Sequence, residues 1–90
     1  MISSIEISEI IPTFVEAIER DEYDVALDLF RRIKARVRLI KAQLGKLNDY
    51  SHLDETMDKL ETSLVHRLSM AKELQQEFLH LLVDMGVPIK

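Results

Sequence analysis

Residues 23–47 read YDVALDLFRRIKARVRLIKAQLGKL. Within this stretch Tyr23, Ala26, Phe30, Ile33, Val37, Ile40, Leu44 and Leu47 recur at alternating intervals of three and four. An α-helix places positions at that spacing on one side, as the a/d seam of a heptad repeat. The pattern predicts a long helix that buries this stripe against neighbouring helices. Asp21 stands in front of it as an N-cap, and Glu22 and Asp24 complement the positive helix end. The bases fall in its later half, where cations suit the dipole. Gly45, Asn48 and Asp49 mark the stop, so the helix is expected over residues 22–47.

Two further segments flank it. Residues 4–20 carry Ile7, Ile10, Ile11, Phe14, Val15 and Ile18 on one helical face. Ser3 and Glu6 have the spacing of a capping box. Pro12 either kinks this helix or sits in its first turn, in which case Ser8 is the alternative cap. Residues 52–85 carry a longer stripe: Leu53, Met57, Leu60, Leu64, Leu68, Ala71, Leu74, Phe78, Leu81 and Met85. Gly86 fits the left-handed residue after a helix, and Pro88 follows. At about 1.5 Å per residue this third helix would be roughly 45–50 Å long, against about 38 Å for the second. The short connection around 48–51 forces antiparallel neighbours. The expected fold is all-α: a three-helix antiparallel bundle built on a long helical hairpin, in a single domain covering residues 1–90.

Composition agrees with helices that are apolar on one face and charged on the other. Hydrophobic residues make up 47% and charged residues 31%. Four glycines and prolines in all leave few places for sharp turns. With no cysteine, disulfides and thiol chemistry are excluded. No apolar run approaches the roughly 20 residues that span a bilayer. The start, MISSIEISEIIP, lacks a basic region and an unbroken apolar stretch, so no signal peptide is read there. A soluble cytoplasmic protein is expected.

Both long helices carry more apolar residues than one seam needs: Val25, Leu27, Leu29 and Leu39 in the second, and Val65, Leu79, Leu82 and Val83 in the third. The first segment is too short to cover them all. Surplus apolar surface of this kind marks contact with another chain. The residues expected to meet a partner are Leu29, Arg32, Arg36, Leu39, Val65, Leu79, Leu82 and Val83.

Little in the sequence suggests catalysis. His52, His66 and His80 are fourteen residues apart, which is about 21 Å of helix, too far for two to share a metal ion. Glu77 and His80 have the Glu-x-x-His spacing of di-iron bundles, but such sites need a second pair and two more inward glutamates. Ser63 and His66 lie one turn apart, as many Ser/His pairs on helices do by chance, whereas such catalysis also needs an orienting acid. Two glycines cannot build a phosphate loop. A non-enzymatic protein without cofactor or metal is expected.

Net charge is −4, but it is unevenly distributed. Residues 1–28 hold eight acids and one base, whereas residues 31–46 hold seven bases (Arg31, Arg32, Lys34, Arg36, Arg38, Lys41 and Lys46) and no acid. The bases either pair with acids of the flanking helices or face an acidic partner. Nucleic acid is the weaker alternative, because the run has no interleaved aromatics and the chain is acidic overall.

The stretch IERDEYDVALDLFRRIKARVRLIKAQL, residues 18–44, joins a first helix to an acidic tight turn, the pair Tyr23-Asp24 and a basic-apolar helix. It resembles the FliT-type flagellar export chaperones, whose second helix opens on a similar turn and runs through arginines into a leucine-rich end. ETSLVHRLSMAKELQQEFLHLLVDM, residues 61–85, is compatible with that family's third helix. The resemblance implies a bacterial cytoplasmic chaperone that holds a helical segment of an export substrate until secretion. The surplus apolar surface read above would, in the alternative, close a symmetric homodimer, a homo-oligomeric structural bundle. The chain is shorter than typical members and reads as lacking their regulatory fourth helix.

Overall fold

The seam that opens the second helix also organises the bundle. A computed structural model describes residues 4–44 and 50–87, with side chains described over 7–43 and 50–87. Four helices form: α1 (Ser4–Glu19), α2 (Tyr23–Leu44), α3 (Ser51–Val65) and α4 (Ala71–Asp84). No strand occurs among the described residues. α1 packs along α2, α2 along α3 and α3 along α4, and α4 returns to α1. The helices therefore close a ring around one core.

That core is assembled from the expected faces. α1 supplies Ile7, Ile11, Phe14, Ala17 and Ile18, and α2 supplies Ala26, Phe30, Ile33 and Val37. Tyr23 and Ile40 pack half-buried at the ends of the α2 seam, while Leu47 and the proposed stop at Gly45, Asn48 and Asp49 lie outside the described residues. Phe30 sits at the centre. Its ring stacks on Phe14 of α1 at 5.9 Å and meets Phe78 of α4 edge-on at 5.4 Å. Each such aromatic pair adds about 0.5–1.5 kcal/mol beyond simple burial. Pro12 lies inside α1 on its exposed face, so it does not begin the helix and Ser8 is not its cap. The Ser3–Glu6 capping box lies outside the described residues.

The expected third helix over residues 52–85 is in fact two helices, and the bundle has four helices rather than three. α3 ends at Val65, and the chain reverses through residues 66–70. The closure has an identifiable hydrogen-bond pattern. The Leu68 amide donates to the Ser63 carbonyl at 2.8 Å, and the Arg67 amide to the Leu64 carbonyl at 3.3 Å. Arg67 between them has φ 57°. These paired bonds around a left-handed residue are a Schellman motif. α1 ends in the same way, with Asp21 at φ 57° and the Glu22 amide on the Ala17 carbonyl at 2.8 Å. α4 repeats it at Gly86, φ 83°, where the Val87 amide donates to the Leu82 carbonyl at 3.0 Å.

Asp21 is thus the residue that ends α1, not the cap of α2. The first carbonyl accepting an α2 bond belongs to Glu22, from the Ala26 amide at 2.9 Å. A left-handed conformation costs a non-glycine residue about 1–2 kcal/mol. At Arg67 that cost is outweighed by what the reversal buries. Leu74, Phe78 and Leu82 of α4 reach the core, each worth about 1.5–3 kcal/mol; a straight helix would carry them away from it. The break also shifts the stripe. Leu68 is exposed, Leu81 and Met85 are half-buried, and Leu82 is fully buried.

Candidate functional site

α2 uses its sides differently. Toward α3 it presents cations that meet carboxylates. Lys34 Nζ lies 2.7 Å from Glu61 Oε1 and 3.7 Å from Asp58 Oδ1; Arg31 Nε lies 3.3 Å from Glu61 Oε2; and Lys41 pairs with Asp54. The hydrogen bond from Lys34, reinforced by that from Arg31, holds the Glu61 carboxyl below the usual carboxylate range against the opposing effect of partial burial. At the end of the bundle where the two tight turns meet, Arg67 Nη2 lies 2.9 Å from both carboxylate oxygens of Asp24, and Lys72 lies 3.3 Å from Asp21. Arg31, Lys34 and Lys41 of the basic run are thereby engaged with α3.

Away from the core, α2 carries a second seam. Val25, Asp28, Arg32, Ala35, Leu39 and Ala42 are all exposed, and they too recur at intervals of three and four. Arg32 reaches Asp28 one turn back at 3.3 Å. Alongside this seam runs an open groove of about 480 Å³ between α1 and α2, lined by Glu9, Ile10, Asp28, Arg31, Arg32, Ala35 and Arg36. Its walls are charged, while Ile10 and Ala35 give it an apolar floor.

The residues expected to meet a partner do not form one surface. Arg32 and Arg36 line the α1–α2 groove. Leu39 is exposed further along α2, and Leu29 is half-buried against the core. Val65 borders a different depression, with Asp58, Glu61, Thr62 and His66. Leu79 and Val83 line a third, of about 220 Å³, with Gln76 and His80 on α4. Leu82 is removed from the set: it has no exposed surface and belongs to the core. Glu9, Ile10, Asp28 and Ala35 were not anticipated. The signal for two of them was present, since Asp28 and Ala35 keep the second seam's spacing, but a search restricted to large apolar residues passes over it.

The groups considered for chemistry are placed apart. His52, His66 and His80 are exposed. Glu77 turns to His52 on α3, with Nε2 to Oε1 2.8 Å, rather than forming a site with His80. Ser63 is buried and donates its hydroxyl to the Leu60 carbonyl at 2.8 Å, whereas His66 faces solvent. Among the described residues no group of three or more histidine, cysteine, aspartate or glutamate side chains converges to hold a metal ion, and no helix is long and apolar enough to cross a membrane. No protein-family model matches the chain, and no match was found among curated proteins or solved structures.

Proposed function

We propose that the protein is a non-enzymatic adaptor or chaperone that holds an amphipathic helix of another protein along the outer face of α2. The observation that carries this reading is the exposed second seam beside the α1–α2 groove. A helix laid there places apolar side chains at i, i+3, i+4 and i+7 over Ile10, Ala35 and Leu39, the usual mode of helix-in-groove recognition. Arg32 and Arg36 select acidic residues along the edge of that partner helix. The resemblance of residues 18–85 to FliT-type chaperones supports the same reading and suggests an export substrate as the source of the helix.

Two alternatives fit the surface less well. A second copy docked two-fold on this face would offer the exposed arginines of α2 the same arginine-rich face, not the acidic edge that an amphipathic partner helix can present. A phosphate backbone would find Arg31, Lys34 and Lys41 already engaged with α3 carboxylates.

The test uses a designed amphipathic peptide with leucine at a/d positions and glutamate beside them, set against a peptide of the same composition in scrambled order. The expected result is saturable binding of the first alone, with amide shift changes confined to α1 and α2. Arg32→Glu with Arg36→Glu should weaken it by about tenfold or more. Shift changes centred on α3 and α4, or equal binding of both peptides, would refute the reading.

A further inference from the structure

The turn between α3 and α4 is made without the usual helix-stopping residues. Positions 65–72 read VHRLSMAK, without glycine, proline, asparagine or aspartate, the residues that ordinarily stop a helix or accept a left-handed backbone. Arg67 nonetheless adopts φ 57°. The apolar stripe Leu60, Leu64, Leu68, Ala71, Leu74 and Phe78 keeps intervals of three and four straight through the turn. In one continuous helix those residues would share a face. In the bent form Leu68 is exposed, as are Val65 and Met70 beside it. Three large apolar side chains within six residues are therefore held at a strained reversal.

We propose that residues 66–70 form a hinge through which two copies of the chain exchange α4. Opening the hinge makes α3 and α4 one straight helix, which relieves the left-handed Arg67 and brings Leu68 back into its stripe. The space vacated beside Phe30 has a specific shape and chemistry, because Phe78 fills it edge-on with Leu74 and Leu82 buried alongside. A second copy supplies that identical α4. It also rebuilds the Lys72–Asp21 pair between chains. Where the two opened hinges cross, Val65 and Leu68, about 60° apart on the straight helix, meet their counterparts, so part of the patch exposed in the monomer becomes the one new contact of the dimer. A short strained connection and a helix that packs as a separable element beyond it are the two conditions that favour such swapping. The exchange leaves the α1–α2 groove untouched, so it stands independently of the adaptor reading.

The experiment refolds the full chain over micromolar to millimolar concentrations and measures mass by light scattering after size exclusion. The chain has no cysteine, so His52→Cys with Glu77→Cys places the only two thiols where His52 and Glu77 now touch across α3 and α4. A short bis-maleimide then reports which chain each α4 packs against. The expected result is a dimer that grows with refolding concentration, exchanges slowly, and yields covalent dimers on denaturing gels. Arg67→Gly, which relaxes the bend and weakens the straight helix, should raise its dissociation constant by about a hundredfold, tenfold at each of two hinges. A monomer at every refolding concentration would overturn the proposal, and so would a dimer whose cross-links all lie within single chains.

Discussion

The position that decides whether residues 51–85 form one helix or two is Arg67, and glycine and alanine there give opposite answers. With Arg67 at φ 57°, alanine carries the cost of the left-handed conformation and glycine does not, a difference of about 1 kcal/mol in favour of Arg67→Gly. Inside a continuous helix the order reverses, and glycine is about 0.8–1 kcal/mol worse than alanine. The two architectures therefore differ by about 2 kcal/mol in a single comparison. Both variants lose the Arg67–Asp24 pair, whose partners are 59% and 84% exposed, so a contribution of only about 0–0.5 kcal/mol cancels between them. For 90 residues the unfolding entropy is about 0.19 kcal/mol/K, so 1 kcal/mol corresponds to about 5 °C. Urea unfolding followed by circular dichroism at 222 nm, at micromolar concentration, should place Arg67→Gly about 1 kcal/mol above Arg67→Ala, with a melting temperature about 5 °C higher. Equal stability, or a more stable alanine variant, would refute the Schellman closure at Arg67 and the four-helix bundle that depends on it.

Two adjacent leucine and valine positions offer an independent check. Leu82→Ala should cost about 2–5 kcal/mol by opening a cavity in the core, whereas Val83→Ala, on the exposed side of α4, should change stability by no more than about 0.5 kcal/mol; urea midpoints of the pair measure this directly. Glu61 gives the pH dependence. Its carboxyl is lowered in the folded chain by Lys34 and Arg31, so its contribution is fully present above the unfolded-state value of about 4.3 and disappears as pH falls through the lower folded value. Glu61→Gln should be less stable than the parent by about 1 kcal/mol at neutral pH, and the gap should close on acidification; a gap that stayed constant down to pH ~3 would show that Glu61 titrates alike in both states.

Much of α2 was legible because a sustained heptad leaves one solution. Slipping the helix by a single residue would turn Phe30 and Ile33 out of the core together. The break between α3 and α4 was not legible, and the reason is local. Three helices close with the same pair of backbone bonds, but their left-handed residues are Asp21, Arg67 and Gly86. Only glycine announces that conformation, and Gly86 was accordingly anticipated. Asp21 is equally compatible with capping the next helix, and arginine carries no turn signal at all. What bends the chain at Arg67 is the distant gain of packing Phe78 on Phe30, which no window of local sequence contains. The same break explains the reassignment of Leu82. Leu81 and Leu82 are neighbours about 100° apart on the helix, so a modest rotation of α4 relative to α3 exchanges which of them is buried.

The charge blocks separate fold from function along the same helix. Rising positions on α2 pair with falling positions on α3: Arg31 and Lys34 with Glu61, then Lys41 with Asp54. That order fits only antiparallel neighbours in this register. Each partly exposed pair adds at most about 1 kcal/mol, so the ladder serves chiefly to select the alignment, while the apolar seam beneath supplies the energy. α1 packs along another side of α2. Its acids Glu9 and Glu19 are exposed, and Glu16 pairs with Arg20 one turn away. The side of α2 turned away from α3 keeps Arg32 and Arg36 beside an apolar groove floor. That groove lies beside an exposed second row of residues at intervals of three and four, which is what makes this face the one to probe with a partner helix.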